Sequence, residues 1–304
     1  MLKNIAYNVK AQISSQALNQ ETLSEQALTA FFAGGHILLE GPSGLGKTTW
    51  ARAFAQAIGA NCNRVRFNEN TLPTDIVGAP ALNPYSGQVE MRRGPLFTQV
   101  FLADGVGYAI PKTAATLMDA IEDHTAIAEG ERYSLPEPFF VIATHDGVHT
   151  PSDALADLFM LKLTVGYPGI GAEKQILQMH HEASDNTQPA PPICTPEDLA
   201  EARREVKAVA VEDAIFNYII SIVETTRRVG AVYIGASPRG SIALLDASKA
   251  YAAIQGRDYV IMDDVRNLAV PVLRHRVKLK PDAIREGIQA DRIIESILIG
   301  RRMA

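Results

Sequence analysis

One octapeptide near the N-terminus limits the possible folds more than any other part of the sequence: Gly41-Pro42-Ser43-Gly44-Leu45-Gly46-Lys47-Thr48. It fits the pattern G-x-x-x-x-G-K-[ST], in which backbone N–H groups surround phosphate. Residues 36–40 before it predict a short buried strand, and residues 49–58 after it predict a helix that ends at Gly59. A strand, a glycine-rich loop and a helix in this order are the context in which the pattern binds nucleotide phosphates.

The residues of the loop are expected to have different roles in binding a nucleotide. Glycines let the backbone N–H groups turn toward an anion, and the N-terminus of the following helix adds partial positive charge. Lys47 is expected to reach the β- and γ-phosphates, and the Thr48 hydroxyl is expected to hold Mg²⁺. We therefore predict that ATP or ADP binds with Mg²⁺ along the loop from Gly41 through Thr49.

The sequence after the loop alternates between predicted strands and helices. Apolar runs predict strands at 64–68, 100–104, 139–144 and 161–165, and periodic apolar residues predict a helix at 112–123. Turn residues predict two β-hairpins, within 82–97 and 126–133. This alternation is typical of an α/β domain with a parallel core sheet.

Asp104 ends one of the predicted strands. The carboxyl ends of parallel strands meet at one edge of a sheet, and the phosphate loop lies at that same edge. Mg²⁺ prefers oxygen ligands. We therefore predict that Thr48 and Asp104 are the metal-binding residues.

The composition changes near residue 185, where the segment 185–194 is rich in proline and polar residues and predicts a linker. Beyond it, periodic apolar segments with helix-start residues predict helices only. We expect a nucleotide-binding core at 1–184, which includes an N-terminal helical segment at 1–35, and an all-helical domain at 195–304.

Charge and cysteine usage argue against several other classes of protein. A net charge of −5 gives no general attraction to nucleic acid or to an anionic membrane. Cys62 and Cys194 are too few for a disulfide framework and favour a reducing compartment. No apolar run approaches the ~20 residues of a membrane span, and polar residues such as Asn4 and Lys10 interrupt the region where a signal peptide would be apolar. We expect a cytoplasmic protein.

Further stretches carry a resemblance to one family: Gly35-His36-Ile37-Leu38-Leu39-Glu40-Gly41, Thr74-Asp75-Ile76-Val77-Gly78, Gly94-Pro95-Leu96-Phe97, Pro136-Glu137-Pro138-Phe139-Phe140-Val141-Ile142-Ala143-Thr144, Gly235-Ala236-Ser237-Pro238-Arg239 and Gly256-Arg257-Asp258-Tyr259-Val260. In this order they resemble the MoxR-type AAA+ ATPases over nearly the whole chain. The resemblance implies a P-loop NTPase core with a five-stranded parallel sheet, a C-terminal helical lid, and a hexameric ring with ATP at the subunit boundaries. It also implies a chaperone-like remodelling function, often with a partner that carries a von Willebrand factor A domain.

The resemblance assigns roles to individual residues. Lys47 and Thr48 match the phosphate lysine and the magnesium hydroxyl of the family, and Asp104 matches its Walker B aspartate. Arg239 matches the sensor 2 arginine on the lid, whose guanidinium would reach the γ-phosphate. Gln20 matches a residue that lies beside the adenine in the family.

Three positions depart from the catalytic pattern of the family. Gly105 stands where the family has the glutamate that orients the attacking water. Asp146 replaces the usual sensor 1 asparagine and joins Asp104 and Arg239 as a candidate catalytic residue, and Leu158 replaces the arginine finger. A missing base lowers the rate by ~10²–10⁴ and a missing finger by ~10³–10⁵. We therefore expect nucleotide binding to be retained and ATP hydrolysis to be weak or absent.

Three other interpretations stay open. The chain could be an active ATPase whose base is Asp146 or Asp123 and whose cation in trans is Arg132, Lys162 or Arg227. In a mixed ring, a paralogous subunit would supply the missing arginine. A scaffold or adaptor would keep the fold as an interaction surface, with ATP optional.

Overall fold

A computed structural model describes residues 1–15, 17, 20–82, 87–182 and 190–300. Its helices are α1 (Leu2–Ser14), α2 (Glu21–Phe32), α3 (Lys47–Ala57), α4 (Pro73–Val77), α5 (Pro111–Asp123), α6 (Asp153–Leu158), α7 (Ile170–Glu182), α8 (Pro196–Ala208), α9 (Asp213–Arg228), α10 (Pro238–Ile254), α11 (Met262–Leu273), α12 (Pro281–Arg285) and α13 (Ala290–Gly300). Its strands are β1 (Ile37–Glu40), β2 (Cys62–Arg66), β3 (Gly78–Leu82), β4 (Val89–Arg93), β5 (Val100–Asp104), β6 (Thr125–Ala128), β7 (Glu131–Ser134), β8 (Phe140–His145), β9 (Leu161–Thr164), β10 (Val232–Ile234) and β11 (Lys278–Leu279).

Five strands form the central sheet in the order β2-β5-β8-β1-β9, and all neighbours are parallel. The central strands β5 and β8 are buried almost throughout, which explains why they read as continuous apolar runs instead of alternating ones. The edge strand β2 is largely exposed. The predicted five-stranded parallel sheet is confirmed.

Alternate residues of the strands enter two cores on opposite faces of the sheet. Leu39 and Phe140 belong to a core that includes α1, α2, α3 and much of the C-terminal domain. Leu38 and Val141 belong to a second core with α5 and α6. This layering holds the carboxyl ends of the strands at one edge of the domain.

Helix α3 is fixed against the sheet by its aromatic residues. Phe54 packs on Phe140 of β8 with ring centroids 5.6 Å apart. The buried indole of Trp50 donates a hydrogen bond to the Ser24 hydroxyl of α2 at 3.0 Å. These contacts hold the N-terminus of α3, and therefore the loop that precedes it, in a defined position.

Two hairpins lie outside the central sheet, as predicted. Strands β3 and β4 pair antiparallel, and so do β6 and β7. The turn between β3 and β4 includes residues 83–86, which are outside the described residues.

The C-terminal domain is helical apart from one short ribbon, which corrects the prediction that it is all-helical. Strands β10 and β11 pair antiparallel, and the Lys280 N–H donates to the Ala231 carbonyl at 2.9 Å beside them. Strands of three and two residues are too short to show an alternating pattern, so sequence periodicity could not reveal them.

The predicted linker, 185–194, is only partly described. Within it, the Ile193 N–H donates to the Ala57 carbonyl at 2.8 Å, and the Gln56 amide donates to the Ala190 carbonyl at 2.8 Å. Cys194 is buried. Residues 190–194 therefore pack against the C-terminal end of α3.

Arg276 joins the C-terminal domain to the core. Its side chain is 3% exposed, and its Nε donates to the Asp157 carboxylate at 3.0 Å. Its guanidinium also donates to the carbonyls of Asp157 at 2.9 Å, Phe159 at 2.8 Å and Met160 at 3.1 Å. One side chain therefore fixes the end of α11 to the segment between α6 and β9.

We expect Arg276→Ala to lower the free energy of unfolding by about 3 kcal/mol or more, because the Asp157 carboxylate and the carbonyls of Asp157, Phe159 and Met160 each lose a hydrogen bond from a buried guanidinium group. Urea unfolding followed by circular dichroism measures this change. Arg285→Ala is the control, since Arg285 is 78% exposed and forms a surface ion pair with Asp282. The control should stay within about 1 kcal/mol of the wild type. Equal unfolding midpoints for the two variants would contradict this role for Arg276.

Candidate nucleotide-binding site

The octapeptide forms a loop between β1 and α3, and α3 begins at Lys47. Gly46 precedes the helix with a φ of 76°, a left-handed conformation that glycine adopts without strain. This backbone path directs the N–H groups of the loop and the positive end of α3 to one place. Such a loop and helix terminus bind anions.

The Lys47 amino group lies over this loop. It donates to the carbonyl oxygen of Pro42 at 2.8 Å and also to that of Gly41. Partial burial lowers the pKa of Lys47, and the carboxylates of Asp104 and Asp146 act in the opposite direction. Lys47 therefore interacts electrostatically with the acids at the ends of β5 and β8.

A cavity of about 800 Å³ opens at this edge of the sheet. It is lined by Ser43, Gly44, Leu45, Gly46, Lys47, Thr48, Thr49, Arg64, Arg66, Phe67, Asn68, Asp104, Gly105, Tyr108, Thr144, His145 and Asp146. The structure thus brings most of the predicted nucleotide, metal and catalytic residues into one cavity. Gly41 and Pro42 lie at the base of the loop, outside the lining, and the buried Gly41 N–H donates to the His145 carbonyl at 3.1 Å.

Both carboxylate oxygens of Asp104 are hydrogen-bonded. The Thr144 hydroxyl donates to one oxygen at 2.7 Å, and the Arg64 Nε donates to the other at 3.1 Å. Burial alone would raise the pKa of Asp104, but these hydrogen bonds and the positive charges of Arg64 and Arg66 outweigh it, and the pKa lies below its ordinary value. Asp104 is therefore a carboxylate held in place at the end of β5.

The donor set fits Mg²⁺ held mainly through water. Thr48 and Asp104 line the same cavity, as predicted for the metal residues. Among the described residues, no group of three or more His, Cys, Asp or Glu side chains could hold a metal by itself. Mg²⁺ commonly keeps several waters and binds through one or two protein oxygens and the substrate phosphates. Thr48 and a hydrogen-bonded Asp104 match that pattern.

Gly105 has a φ of 77°, so the position of the missing glutamate is left-handed. Among the described residues, a Cβ placed there would come within 4 Å of the Phe67 carbonyl oxygen and the Tyr108 ring alone, each at 3.5 Å. The site therefore has room for a Cβ, but the backbone conformation strains any residue other than glycine.

Asp146 is engaged by a network that the sequence did not reveal. Its carboxylate accepts from the Tyr108 hydroxyl at 2.8 Å and from the N–H groups of Val148 and His149 at 2.9 and 2.8 Å. The His149 ring stacks on Tyr108 with centroids 4.2 Å apart. The backbone N–H of His149 and the Tyr108 hydroxyl hold the pKa of Asp146 far below its usual range. Such a carboxylate accepts a proton poorly, which argues against Asp146 as a base.

The other proposed substitutes for catalytic groups are engaged elsewhere and do not line the cavity. Asp123 pairs with Arg132 at 3.5 Å on the exterior of the hairpin β6–β7. Lys162 pairs with Glu40 at 2.8 Å. The Nε of Arg227 donates to the Ala236 carbonyl at 2.8 Å.

The structure places Arg239 outside the phosphate-loop cavity of its own chain, and its role at the γ-phosphate stays a prediction. Its guanidinium pairs with Glu122 at 2.7 Å and lines a different cavity, of about 350 Å³, which also contains Leu158. The physical reason is the docking of the C-terminal domain through Arg276. That contact brings the start of α10 to the end of α5. Arg239 and Leu158 therefore lie on one face of the molecule.

Gln20 lines a third cavity, of about 210 Å³, together with residues 163–168 at the end of β9. The phosphate loop adjoins this cavity, since a Cβ on Gly41 would lie 2.4 Å from the Val165 carbonyl oxygen. This placement is compatible with the predicted position beside an adenine. Leu18 and Asn19, which precede Gln20 in the sequence, lie outside the described residues.

At this site, sequence reasoning missed four residues: Arg64, Arg66 and Tyr108, which line the cavity, and His149, which contacts Tyr108. The signal for the arginines was available, because alternate residues of a strand share a face and Arg64 and Arg66 are two apart. Tyr108 and His149 gave no signal, since their contact joins two loops 41 positions apart in sequence.

No helix among the described residues is long and apolar enough to cross a membrane.

A phosphate loop on a five-stranded parallel sheet, followed by a helical lid, defines an AAA+ ATPase. Comparison with known proteins agrees: residues 36–161 match the family described as "ATPase family associated with various cellular activities (AAA)", and residues 224–297 match the AAA lid domain. The chain belongs to the MoxR family of AAA+ ATPases.

Several relatives cover most of the chain. Uncharacterized protein YeaC of Bacillus subtilis is 40% identical over 90% of this chain and 86% of that protein. Chaperone MoxR1 of Mycobacterium tuberculosis is 30% identical over 92% of this chain and 78% of that protein. A crystal structure of a protein from Cytophaga hutchinsonii superposes with a TM-score of 0.91 at 29% identity, covering 98% of this chain and 94% of the other.

Proposed function

We propose that this chain is a MoxR-type AAA+ subunit that binds ATP or ADP with Mg²⁺ and hydrolyses ATP slowly or not at all. The observation that carries the proposal is the set of residues that line the cavity at the phosphate loop. Lys47, Thr48 and Asp104 line it as the family pattern requires, whereas Gly105 supplies no base and Asp146 is held by Tyr108. The groups for binding are together, and the groups for bond cleavage are absent or engaged.

The residues of the cavity would act in binding as follows. The loop N–H groups and the N-terminus of α3 would surround the phosphates, and Lys47 would move from the carbonyls of its own loop to their oxygens. Mg²⁺, when bound, neutralises phosphate charge, and Thr48 and the water-mediated contact from Asp104 would hold it. Thr144 would keep Asp104 oriented through its 2.7 Å hydrogen bond.

Slow hydrolysis follows from the positions of Gly105 and Leu158. No described side chain stands where the family's glutamate orients water, and the low pKa of Asp146 makes it a weak proton acceptor. Leu158 cannot supply the positive charge of an arginine finger. Losses of ~10²–10⁴ and ~10³–10⁵ for these two groups need not add, but either brings turnover close to the unassisted level.

The chaperone-like role and the ring assembly rest on the family. We propose a ring, expected to be hexameric, in which nucleotide fixes the geometry between subunits. Arg239 is 58% exposed on the face that also carries Leu158. In a ring, this face would meet the cavity of a neighbour, so Arg239 would serve the adjacent subunit. A paralogue in a mixed ring, or a von Willebrand factor A domain partner, would complete the working assembly.

The test is a paired measurement on one preparation at protein concentrations that permit oligomers. Isothermal titration with Mg-ATP measures binding, and a phosphate-release assay measures turnover. We expect saturable binding with phosphate release at the rate seen without protein. Robust release that disappears in Lys47→Ala would identify an active ATPase. No binding at millimolar ATP would favour the scaffold. Gain of release on adding a paralogue would identify the mixed ring.

A further inference from the structure

Two arginines of the edge strand β2 line the phosphate-loop cavity. Arg64 pairs in register with Leu102 of β5, and Arg66 pairs with Asp104. Residues two apart on a strand project to the same face, so both guanidinium groups can reach the same space. Both are on the lining of the cavity that contains Lys47.

The order of the strands indicates which end of a nucleotide these arginines would meet. The cavity at Gln20 lies at the end of β9, and the phosphate loop follows β1. Moving away from β9, the strands are β1, β8, β5 and β2 in turn. At ~4.8 Å between neighbouring strands, β2 lies roughly 14 Å from β1. A nucleotide whose base lies near β9 would bring its terminal phosphate closest to β2.

The cavity is lined by the cationic side chains of Lys47, Arg64 and Arg66, which differ in what they contact. Asp104 and Asp146 place two negative charges there, which would repel a terminal phosphate. Arg64 forms an ion pair with Asp104, and Asp146 is hydrogen-bonded to Tyr108. Within the described residues, Arg66 makes no ion pair, although its charge acts on Asp104 and helps to lower the pKa of that carboxyl group. Because this interaction acts at a distance, the guanidinium group of Arg66 can still contact a ligand in the cavity.

We propose that Arg66 contacts the terminal phosphate of ATP bound in its own subunit and makes the cavity prefer ATP to ADP. Arg64 is a positioning residue, which acts by holding Asp104. This inference rests on the proposed function, because it requires that the cavity bind nucleotide. It gives the chain a second cation, besides Lys47, for the triphosphate bound in its own subunit.

The test compares ATP and ADP affinity in the variant Arg66→Gln. Isothermal titration in the presence of Mg²⁺ should show that the dissociation constant for ATP rises about 10- to 100-fold, because a charge-assisted contact to phosphate is lost. The dissociation constant for ADP should change by less than about 3-fold, since ADP lacks the terminal phosphate. Arg66→Lys should recover part of the ATP affinity, because lysine keeps the charge without the planar fork.

Arg52→Gln is the matched control, since it removes the same charge from an exposed residue of α3 that does not line the cavity. It should leave both affinities unchanged. Equal losses for ATP and ADP in Arg66→Gln, an unchanged ATP-to-ADP ratio, or the same loss in Arg52→Gln would each overturn the assignment of Arg66. If the wild type binds neither nucleotide, the proposed function itself fails and this inference fails with it. Unchanged thermal unfolding without nucleotide would show that Arg66→Gln is folded.

Discussion

Replacing Lys47 by alanine should weaken Mg-ATP binding by about 10²- to 10⁴-fold, which is the loss of two charge-assisted hydrogen bonds to phosphate oxygens. Lys47 is the residue of the loop whose charge is directed into the cavity, and it stands at the positive end of α3. The backbone N–H groups of the loop would remain, so the loss reports the side chain alone. Isothermal titration of the wild type and the variant measures it.

Lys112→Ala serves as the control for this experiment. Lys112 is an exposed lysine of α5 that does not line the cavity, so its removal changes the net charge equally. We expect its ATP affinity to match that of the wild type. If Lys47→Ala binds Mg-ATP as tightly as Lys112→Ala does, the octapeptide does not bind phosphate and the proposed site is wrong.

The parts of the fold that could be predicted from sequence depend on local chemistry. The octapeptide, the apolar run of β8 and the acid that ends β5 each carry their signal within about ten residues. The parallel sheet followed because buried strands read as continuous apolar runs. The two hairpins followed from turn residues. All of these features can be predicted without knowing how distant segments of the chain pack together.

The placement of Arg239 could not be predicted, because it depends on a contact between distant segments. Its motif resembles the lid motif of the family, and the resemblance implied a position above the phosphate loop. In the structure, Arg276 fixes the C-terminal domain to the segment 157–160, and Arg239 consequently meets Glu122. The sequence contains each residue, but the direction of docking is a property of the packed domains.

The residues after β5 and after β8 that differ from the family pattern pack against one another. This contact was not visible in the sequence, where each position was considered separately. Tyr108 stacks on His149 and donates to Asp146. Gly107 allows this approach, since a Cβ there would lie 1.8 Å from the His149 carbonyl oxygen. A side chain at 107 would separate the two loops. The loop after β5 and the loop after β8 are therefore in direct contact. A substitution in one of these loops will also affect the position of the other.

Adding back both missing catalytic groups should raise phosphate release. In the double variant Gly105→Glu with Leu158→Arg, we expect a rate about 10²- to 10⁴-fold above that of the wild type in an assembled ring. The Cβ of a Glu at 105 would make ordinary contacts at 3.5 Å, although the left-handed φ of 77° costs roughly 1–2 kcal/mol. Arg at 158 replaces a half-buried leucine on the face shared with Arg239. Each single variant should gain far less, because the base and the finger act as a unit.

The matched control is Gly105→Gln with Leu158→Arg, since glutamine has the size and the backbone strain of glutamate but cannot accept the proton. Its release rate should stay near that of the wild type, and adding Lys47→Ala to the active double variant should abolish the gain. If the glutamine control gains as much as the glutamate variant, the gain comes from the arginine and Gly105 is not what limits hydrolysis. If the wild type already turns over as fast as the double variant, the catalytic groups were never missing, and residues outside the positions of Gly105 and Leu158 must supply them.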